Sequence, residues 1–312
     1  MATSSPATDS GKTYHRECTG DALETVSKHQ DPQSITLFGS CFCPFVQRVW
    51  VAFEYLGIPY QYYEVDPYKK PKDLLEVSPK GLVPGLKLND YIPPKALNES
   101  TVILEYLEDL ASNTTKRSLL PPVTNPYARA LVRLQADHIS RNLVPAFYRL
   151  LQAQDLEAQV QGAKEYYIAL EGVVNLFERA EEEIISAGGV SGEGERRALT
   201  IGLGLWVEGG DLGWADVMAG PWLFRTTNVL KHYRGFELWA GDKFNAWLDR
   251  LVSHPAFKAT CSTEDLYLDS YERPVINLRS RVYESLCECR YAHNRPNTSQ
   301  VANAINSGRG LP

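Results

Sequence analysis

Cys43 is the residue whose setting points most directly to chemistry. Ile35-Thr36-Leu37-Phe38 is a β-rich run closed by Gly39-Ser40, and Cys43-Pro44 precedes apolar residues at helical spacing, Val46, Val49, Trp50 and Phe53. Pro44 suits the first position of a helix, where its missing N–H costs nothing. Cys43 therefore falls at or next to the N-cap, where unpaired backbone N–H groups and the positive end of the helix dipole favour a thiolate. The expected thiol pKa lies below the free value of about 8.5. A buried, inert cysteine is the alternative, and the strand–Cys-Pro–helix placement weighs against it. Val46 occupies the second position of a Cys-x-x-Cys pair, so dithiol chemistry within that motif is absent. Cys41 is read as structural.

The elements around this cysteine form an α/β unit. Gly57 stops the helix, and Tyr60–Val65 reads as a second strand. A short segment at Lys72–Val77 leads to the turn Ser78-Pro79-Lys80-Gly81. Leu82–Leu88 has a strand pattern interrupted by Pro84, which argues for an edge position or a cis bond. Asn89-Asp90 is turn-like, a further strand is expected near Lys95–Leu97, and a helix opens at Glu99-Ser100. Past Leu120-Pro121-Pro122 the character changes to long amphipathic patterns over 126–152 and 155–187. Gly188–Gly194 is a glycine-rich loop, and the stretch to Gly210 is ambiguous. Helices resume over 214–231 and 244–251, with more expected near 255–270. The divisions are a disordered leader 1–33, an α/β domain 34–111, a linker 112–124, an all-helical domain 125–274 and a loosely ordered tail 275–312.

Composition narrows the function classes. The 312 residues are 44% hydrophobic and 22% charged, ordinary for a globular chain. Lys+Arg 32 against Asp+Glu 38 gives a net charge of −6, with no basic cluster to bind nucleic acid or an anionic membrane. No apolar run approaches the roughly 18 residues of a membrane span. The N-terminus has neither a secretory nor a transit pattern. Six cysteines in a chain this long are too sparse for a disulfide scaffold. A cytoplasmic protein with reduced thiols is expected. His138 and His254 show no metal-ligand spacing, and Cys287-x-Cys289 lacks companion ligands, so no metal site is expected.

Three segments together resemble the glutathione transferases, and within them the omega class and its fungal relatives: Cys41-Phe42-Cys43-Pro44-Phe45-Val46-Gln47-Arg48, Gly81-Leu82-Val83-Pro84 and Asn98-Glu99-Ser100-Thr101. The resemblance runs from about Ile35 to Tyr271. It implies a thioredoxin-like domain followed by an all-helical domain, the order already read from the residues. It also implies that Cys43 is the catalytic residue. Val83, before an expected cis Pro84, would pair its backbone with the cysteinyl unit of glutathione. Ser100 and the helix N-terminus would hold the γ-glutamyl carboxylate, and Glu99 the ammonium group. For Glu99-Ser100 plain helix capping is the alternative. Lys70 would reach the glycine carboxylate, with Lys69 and Lys72 as competitors. Phe45 and Pro84 are further glutathione-binding residues, and Phe45 and Trp222 are candidates for the electrophile pocket, Trp222 being equally readable as core. Asp216, in Gly213-Trp214-Ala215-Asp216, resembles a family capping motif whose usual Ser/Thr is replaced by Gly213, and a folding role is assigned to it.

A cysteine in place of the family's tyrosine or serine makes a mixed disulfide with glutathione accessible. The resemblance therefore implies a glutathione-dependent thiol oxidoreductase with thioltransferase and dehydroascorbate reductase-like activity and weak conjugation. Glutathione is the cosubstrate, and the partner is a small electrophile or disulfide. Two alternatives are a transferase dedicated to a secondary-metabolite pathway and a non-catalytic relative like the intracellular chloride-channel proteins. A homodimer is expected, formed through Tyr127, Leu131 and Leu134 and the outer face of the helix at 99–110.

Overall fold

The computed structural model describes residues 15–66, 69–186, 192–238 and 241–275. The N-terminal half is built on a four-stranded mixed sheet of order β2-β1-β3-β4. Strand β1 (Ile35–Gly39) runs parallel to β2 (Gln61–Glu64), with Thr36 opposite Gln61. It runs antiparallel to β3 (Gly85–Leu88), with Phe38 opposite Gly85, and β3 pairs antiparallel with β4 (Lys95–Asn98). All five residues of β1 are buried because both sheet faces are covered. Leu37 feeds the main core with Val49, Phe53 and Leu104, while Phe38 packs with Val65, Leu74 and Val77 under α3 (Lys72–Val77). That is the period-two alternation of a central strand.

Helix α2 (Pro44–Leu56) crosses between β1 and β2, and α4 (Ser100–Asn113) packs beside it. Gly57 ends α2 with φ +69°, a left-handed position suited to glycine, and its N–H bonds to Phe53 O at 2.9 Å. The expected strand 82–88 is shorter than its pattern. Only Gly85–Leu88 pairs, because the Val83–Pro84 bond is cis and Pro84 has no N–H to give a ladder. The Ile92–Pro93 bond in the β3–β4 loop is also cis.

The rest is helical. Helix α5 (Pro126–His138), capped by Asn125, passes through a π-helical turn, Ile139–Leu143, into α6 (Val144–Gln152). Helix α7 (Leu156–Glu181) is capped by Asp155, whose carboxylate accepts from Ala158 N–H at 2.8 Å. The ambiguous stretch contains α8 (Glu193–Gly202), which buries only Leu199 and Gly202 and so shows little apolar period. Helix α9 (Trp214–Arg225) is buried on nearly all sides and continues through another π-helical turn, Thr226–Leu230, into the short α10 (Lys231–Arg234). Then follow α11 (Asp242–Ser253), α12 (Pro255–Lys258) and α13 (Glu264–Val275). Asp216 holds this half together. Its carboxylate accepts from Gly213 N–H and Leu205 N–H, each at 2.8 Å, and from Trp247 Nε1 at 2.7 Å. Gly213 replaces the usual Ser/Thr for a steric reason: a Cβ there would lie 2.8 Å from the Cα of Gly204.

The leader is corrected over its described part. Helix α1 (Gly20–Lys28) lies within 1–33, and it was missed because only Ala22 and Thr25 are buried on it. Its anchors are polar. Ala22 N–H bonds to Cys261 O at 3.0 Å and Tyr62 N–H to His29 O at 2.8 Å, which ties the leader to both halves. Residues 1–14 and nearly all of the tail 275–312, including Cys287 and Cys289, lie outside the described residues. No helix among the described residues is long and apolar enough to cross a membrane.

Candidate active site

Cys43 is the N-cap of α2, with an extended backbone, and Pro44 follows at the first helical position. Its thiol lies 3.9 Å from Val83 O, on the residue before cis Pro84. The strand end, the helix start and the cis-proline turn therefore converge on one sulfur. Burial pushes the Cys43 thiol up from its ordinary value, while the N–H groups of Val46 and Phe45 and the guanidiniums of Arg225 and Arg48 pull it down. Burial outweighs them, which corrects the expectation of a lowered pKa: the dipole argument is sound in sign but omitted the cost of desolvating a thiolate.

Beside Cys43 opens a cavity of about 540 Å³ whose lining includes Phe45, Val83, Pro84, Glu99 and Ser100. Five of the expected site residues thus share one space, within the size range of small-molecule sites, while Cys43 is not in its lining and adjoins it through Val83. Ser100 opens α4, and Glu99, its N-cap, has φ +71°. A non-glycine residue in the left-handed region costs on the order of 1–3 kcal/mol, and such residues cluster at ligand sites. The Glu99 side chain makes no capping bond, so plain capping does not account for it.

Two expected residues sit differently. Lys70 is exposed and lies over Gly81, where a Cβ would come within 2.6 Å of the lysine Cδ; the lysine lining the cavity is Lys80. Trp222 is fully buried and meets Phe45 edge-on at 4.9 Å, so it backs the cavity wall as a core residue. Lys69 and Lys72 are exposed and absent from the lining.

A larger open cleft of about 870 Å³ lies at the opposite end of α2, lined by Glu54, Tyr55, Arg117 and His254 among others. It contains no cysteine. The 13 residues of α2 separate it from Cys43 by roughly 20 Å at 1.5 Å per residue.

The comparisons with known proteins agree with this fold. Residues 37–115 match the family described as glutathione S-transferase, N-terminal domain. Glutathione transferase Omega 3C from Trametes versicolor is 34% identical in sequence, with a TM-score of 0.65, over 84% of this chain and 98% of that one. The chain belongs to the glutathione transferase family. Among curated glutathione transferases, U2 of Arabidopsis thaliana is 35% identical over 142 residues, 45% of this chain and 59% of that protein. Pyrimidodiazepine synthase of Drosophila melanogaster is 28% identical over 253 residues, 78% of this chain and 89% of that protein.

The sequence reading of this glutathione transferase gave no role to two buried arginines. Arg48, five residues after Cys43 on α2, lines the cavity. Arg225, at the end of α9, donates to Gln47 Oε1 at 2.6 Å and to Phe42 O at 2.8 Å, tying the helical half to the cysteine loop. The available signal was an arginine at a helix position otherwise occupied by apolar residues, at Val46-Gln47-Arg48-Val49 and at Leu223-Phe224-Arg225. Ser140 and Val144, from the π-helical turn and the start of α6, also line the cavity, and no local pattern marks them.

Proposed function

We propose that this glutathione transferase is a thiol oxidoreductase in which Cys43 carries glutathione as a mixed disulfide. The observation that supports this most directly is the position of the Cys43 sulfur, 3.9 Å from Val83 O, beside a cavity that also presents Ser100. A glutathione backbone laid along Val83 as a short β-addition would bring its cysteinyl sulfur toward Cys43. Its γ-glutamyl end would extend to the α4 N-terminus, where Ser100 and free N–H groups receive a carboxylate and Glu99 an ammonium. A lysine, Lys70 or Lys80, would serve the glycine carboxylate.

In the reaction, Cys43 first gives up its proton to solvent, a loss opposed by burial and favoured by the α2 N–H groups and the Arg225 and Arg48 guanidiniums, and its thiolate attacks the glutathionyl sulfur of a mixed-disulfide substrate. The S–S bond breaks, and the substrate leaves as a thiolate that takes a proton. A second glutathione thiolate then attacks the glutathionyl sulfur on Cys43, releasing oxidised glutathione and the Cys43 thiolate. One free glutathione is consumed for each mixed disulfide reduced, the other half of the oxidised glutathione coming from the substrate. Dehydroascorbate reductase-like activity would pass through the same mixed disulfide: the Cys43 thiolate adds to a carbonyl of dehydroascorbate, a glutathione thiolate attacks the Cys43 sulfur and expels ascorbate, and a second glutathione releases oxidised glutathione. Conjugation is weak because Cys43 rather than glutathione supplies the nucleophile at the helix terminus. The functional division is a glutathione-binding domain at 34–111 and a substrate domain at 125–274. Activity of the full chain on a glutathionylated peptide, compared with that on an aryl halide, tests the assignment; a faster aryl halide reaction would contradict it.

A second reading is a transferase committed to one biosynthetic intermediate. The similarity to the Drosophila melanogaster protein named pyrimidodiazepine synthase, over most of both chains, favours it.

A homodimer fits the surface. Tyr127, Leu134 and Val102 are 50%, 41% and 50% exposed, on α5 and α4. Leu131 is removed from the expected contact, since it is buried within the protomer. Light scattering at micromolar concentration tests the dimer, and a monomeric mass would overturn it.

A further inference from the structure

Arg48 is a buried cation with no carboxylate beside it among the described residues. It is 2% exposed. Its Nη1 donates to Ser100 Oγ at 3.4 Å and its Nη2 to Met218 O at 3.0 Å, while Nε has no hydrogen-bond partner among the described residues. The guanidinium carbon lies 4.4 Å from the Trp222 ring centroid and 5.6 Å from that of Phe45. Burial lowers its pKa to about 9, and the charges acting on it are those of Tyr148 and Cys43, with no carboxylate among them. An unpaired buried charge is costly, and arginine is retained at such sites where its planar fork meets a carboxylate or phosphate.

The placement says which ligand group this is. Arg48 lines the cavity and touches Ser100, the first residue of α4, whose terminus already favours an anion. Two independent features, a helix N-terminus and a buried arginine, meet at the Ser100 hydroxyl through Nη1, while the same guanidinium keeps Nε unused. We propose that Arg48 is the counter-charge of the γ-glutamyl α-carboxylate of bound glutathione, completing a carboxylate subsite with Ser100. The inference rests on the glutathione reading above and adds a positioning function. Because Nη2 is held by Met218 O on α9, the bound carboxylate ties the glutathione-binding half to the substrate half across α2.

The test is a cycle between protein and ligand, using the full chain and calorimetric titration. The ligands are glutathione and γ-aminobutyryl-cysteinylglycine, which lacks only the α-carboxylate. Wild type should bind glutathione about ten- to a hundredfold more tightly than the analogue, as expected for a charge-assisted bond. Arg48→Met should bind both alike, within about threefold, and should match wild type on the analogue. Arg48→Lys keeps the charge without the fork and should fall between. Equal losses for both ligands in Arg48→Met would make Arg48 merely structural and overturn the proposal. Full discrimination retained in that variant would overturn it too, by leaving the carboxylate to Ser100 and the helix terminus alone. If Arg48→Met does not fold, Arg48→Lys decides, and discrimination undiminished from wild type refutes the subsite. Wild type binding neither ligand would instead remove the glutathione reading itself.

Discussion

Cys43 and Val83, forty residues apart in sequence, meet with the thiol 3.9 Å from the carbonyl oxygen. This contact makes the cis-proline turn part of the active site, because a peptide paired with Val83 must pass the sulfur. Cys43→Ser should therefore abolish reduction of a glutathionylated substrate while leaving glutathione affinity within about threefold of wild type. Reduction at the wild-type rate by the serine variant would remove Cys43 from the mechanism.

Ser100→Ala and Glu99→Ala should each lower glutathione affinity by about ten- to a hundredfold, the value of a charge-assisted hydrogen bond. The melting temperature should move little for Glu99→Ala, whose side chain makes no helix-capping bond, and fall modestly for Ser100→Ala, which loses the bond from Arg48 Nη1. Calorimetric titration beside a thermal melt separates the two roles; a lower melting temperature with unchanged affinity would mean capping alone.

Asp216→Ala should be among the most damaging substitutions in the helical half. It leaves three buried donors, Gly213 N–H, Leu205 N–H and Trp247 Nε1, without their acceptor. A loss of about 3 kcal/mol or more is expected, read by denaturant unfolding. A change under about 1 kcal/mol would show that water replaces the carboxylate.

The attachment of α1 should depend on pH. His29 Nε2 lies 3.2 Å from Glu54 Oε1, and its Nδ1 is 3.1 Å from Tyr60 O. The bonds to Glu54 and Tyr60 raise the His29 pKa above the ordinary 6.5, against the opposing effect of burial. The bonds from His29 and Tyr60 lower the Glu54 pKa below the ordinary 4.5, again against burial. A raised histidine stabilises the fold below pH 6.5 and loses its contribution as pH rises through the folded value. A lowered carboxyl stabilises above pH 4.5 and loses its contribution as pH falls through its folded value. The melting-temperature difference between wild type and His29→Gln should thus be largest between pH 4.5 and 6.5 and shrink above it. A difference independent of pH would make His29 a packing residue, through its 4.0 Å stack on Tyr60.

Local patterns foretold what is locally determined. The apolar period of α2, the Cys43 N-cap, Gly57 and the interruption at Pro84 were all legible because each depends on neighbours within a turn or two. Helix α1 was not legible, since backbone bonds to Cys261 and Tyr62 hold it and sequence carries no record of them. The site follows the same rule. Cys43, Val83 and Ser100 have local signatures, but the roles of Arg48 and Arg225 appear only when α9 is packed against α2. The thiol pKa was misjudged for the same reason, because desolvation of Cys43 comes from distant segments.

The most direct test of the account is intact-protein mass measurement with peptide mapping, after the reduced chain is incubated with oxidised glutathione. Cys18 and Cys41 are buried, and Cys261, like them, has no place in the cavity lining, whereas the Cys43 thiol lies 3.9 Å from the lining residue Val83, so these three should stay free. Among these four cysteines the account predicts a glutathionyl group on Cys43 alone, removed by reduced glutathione, with the Cys287 and Cys289 peptides mapped separately. An unmodified Cys43, or an adduct that reduced glutathione does not release, would contradict it.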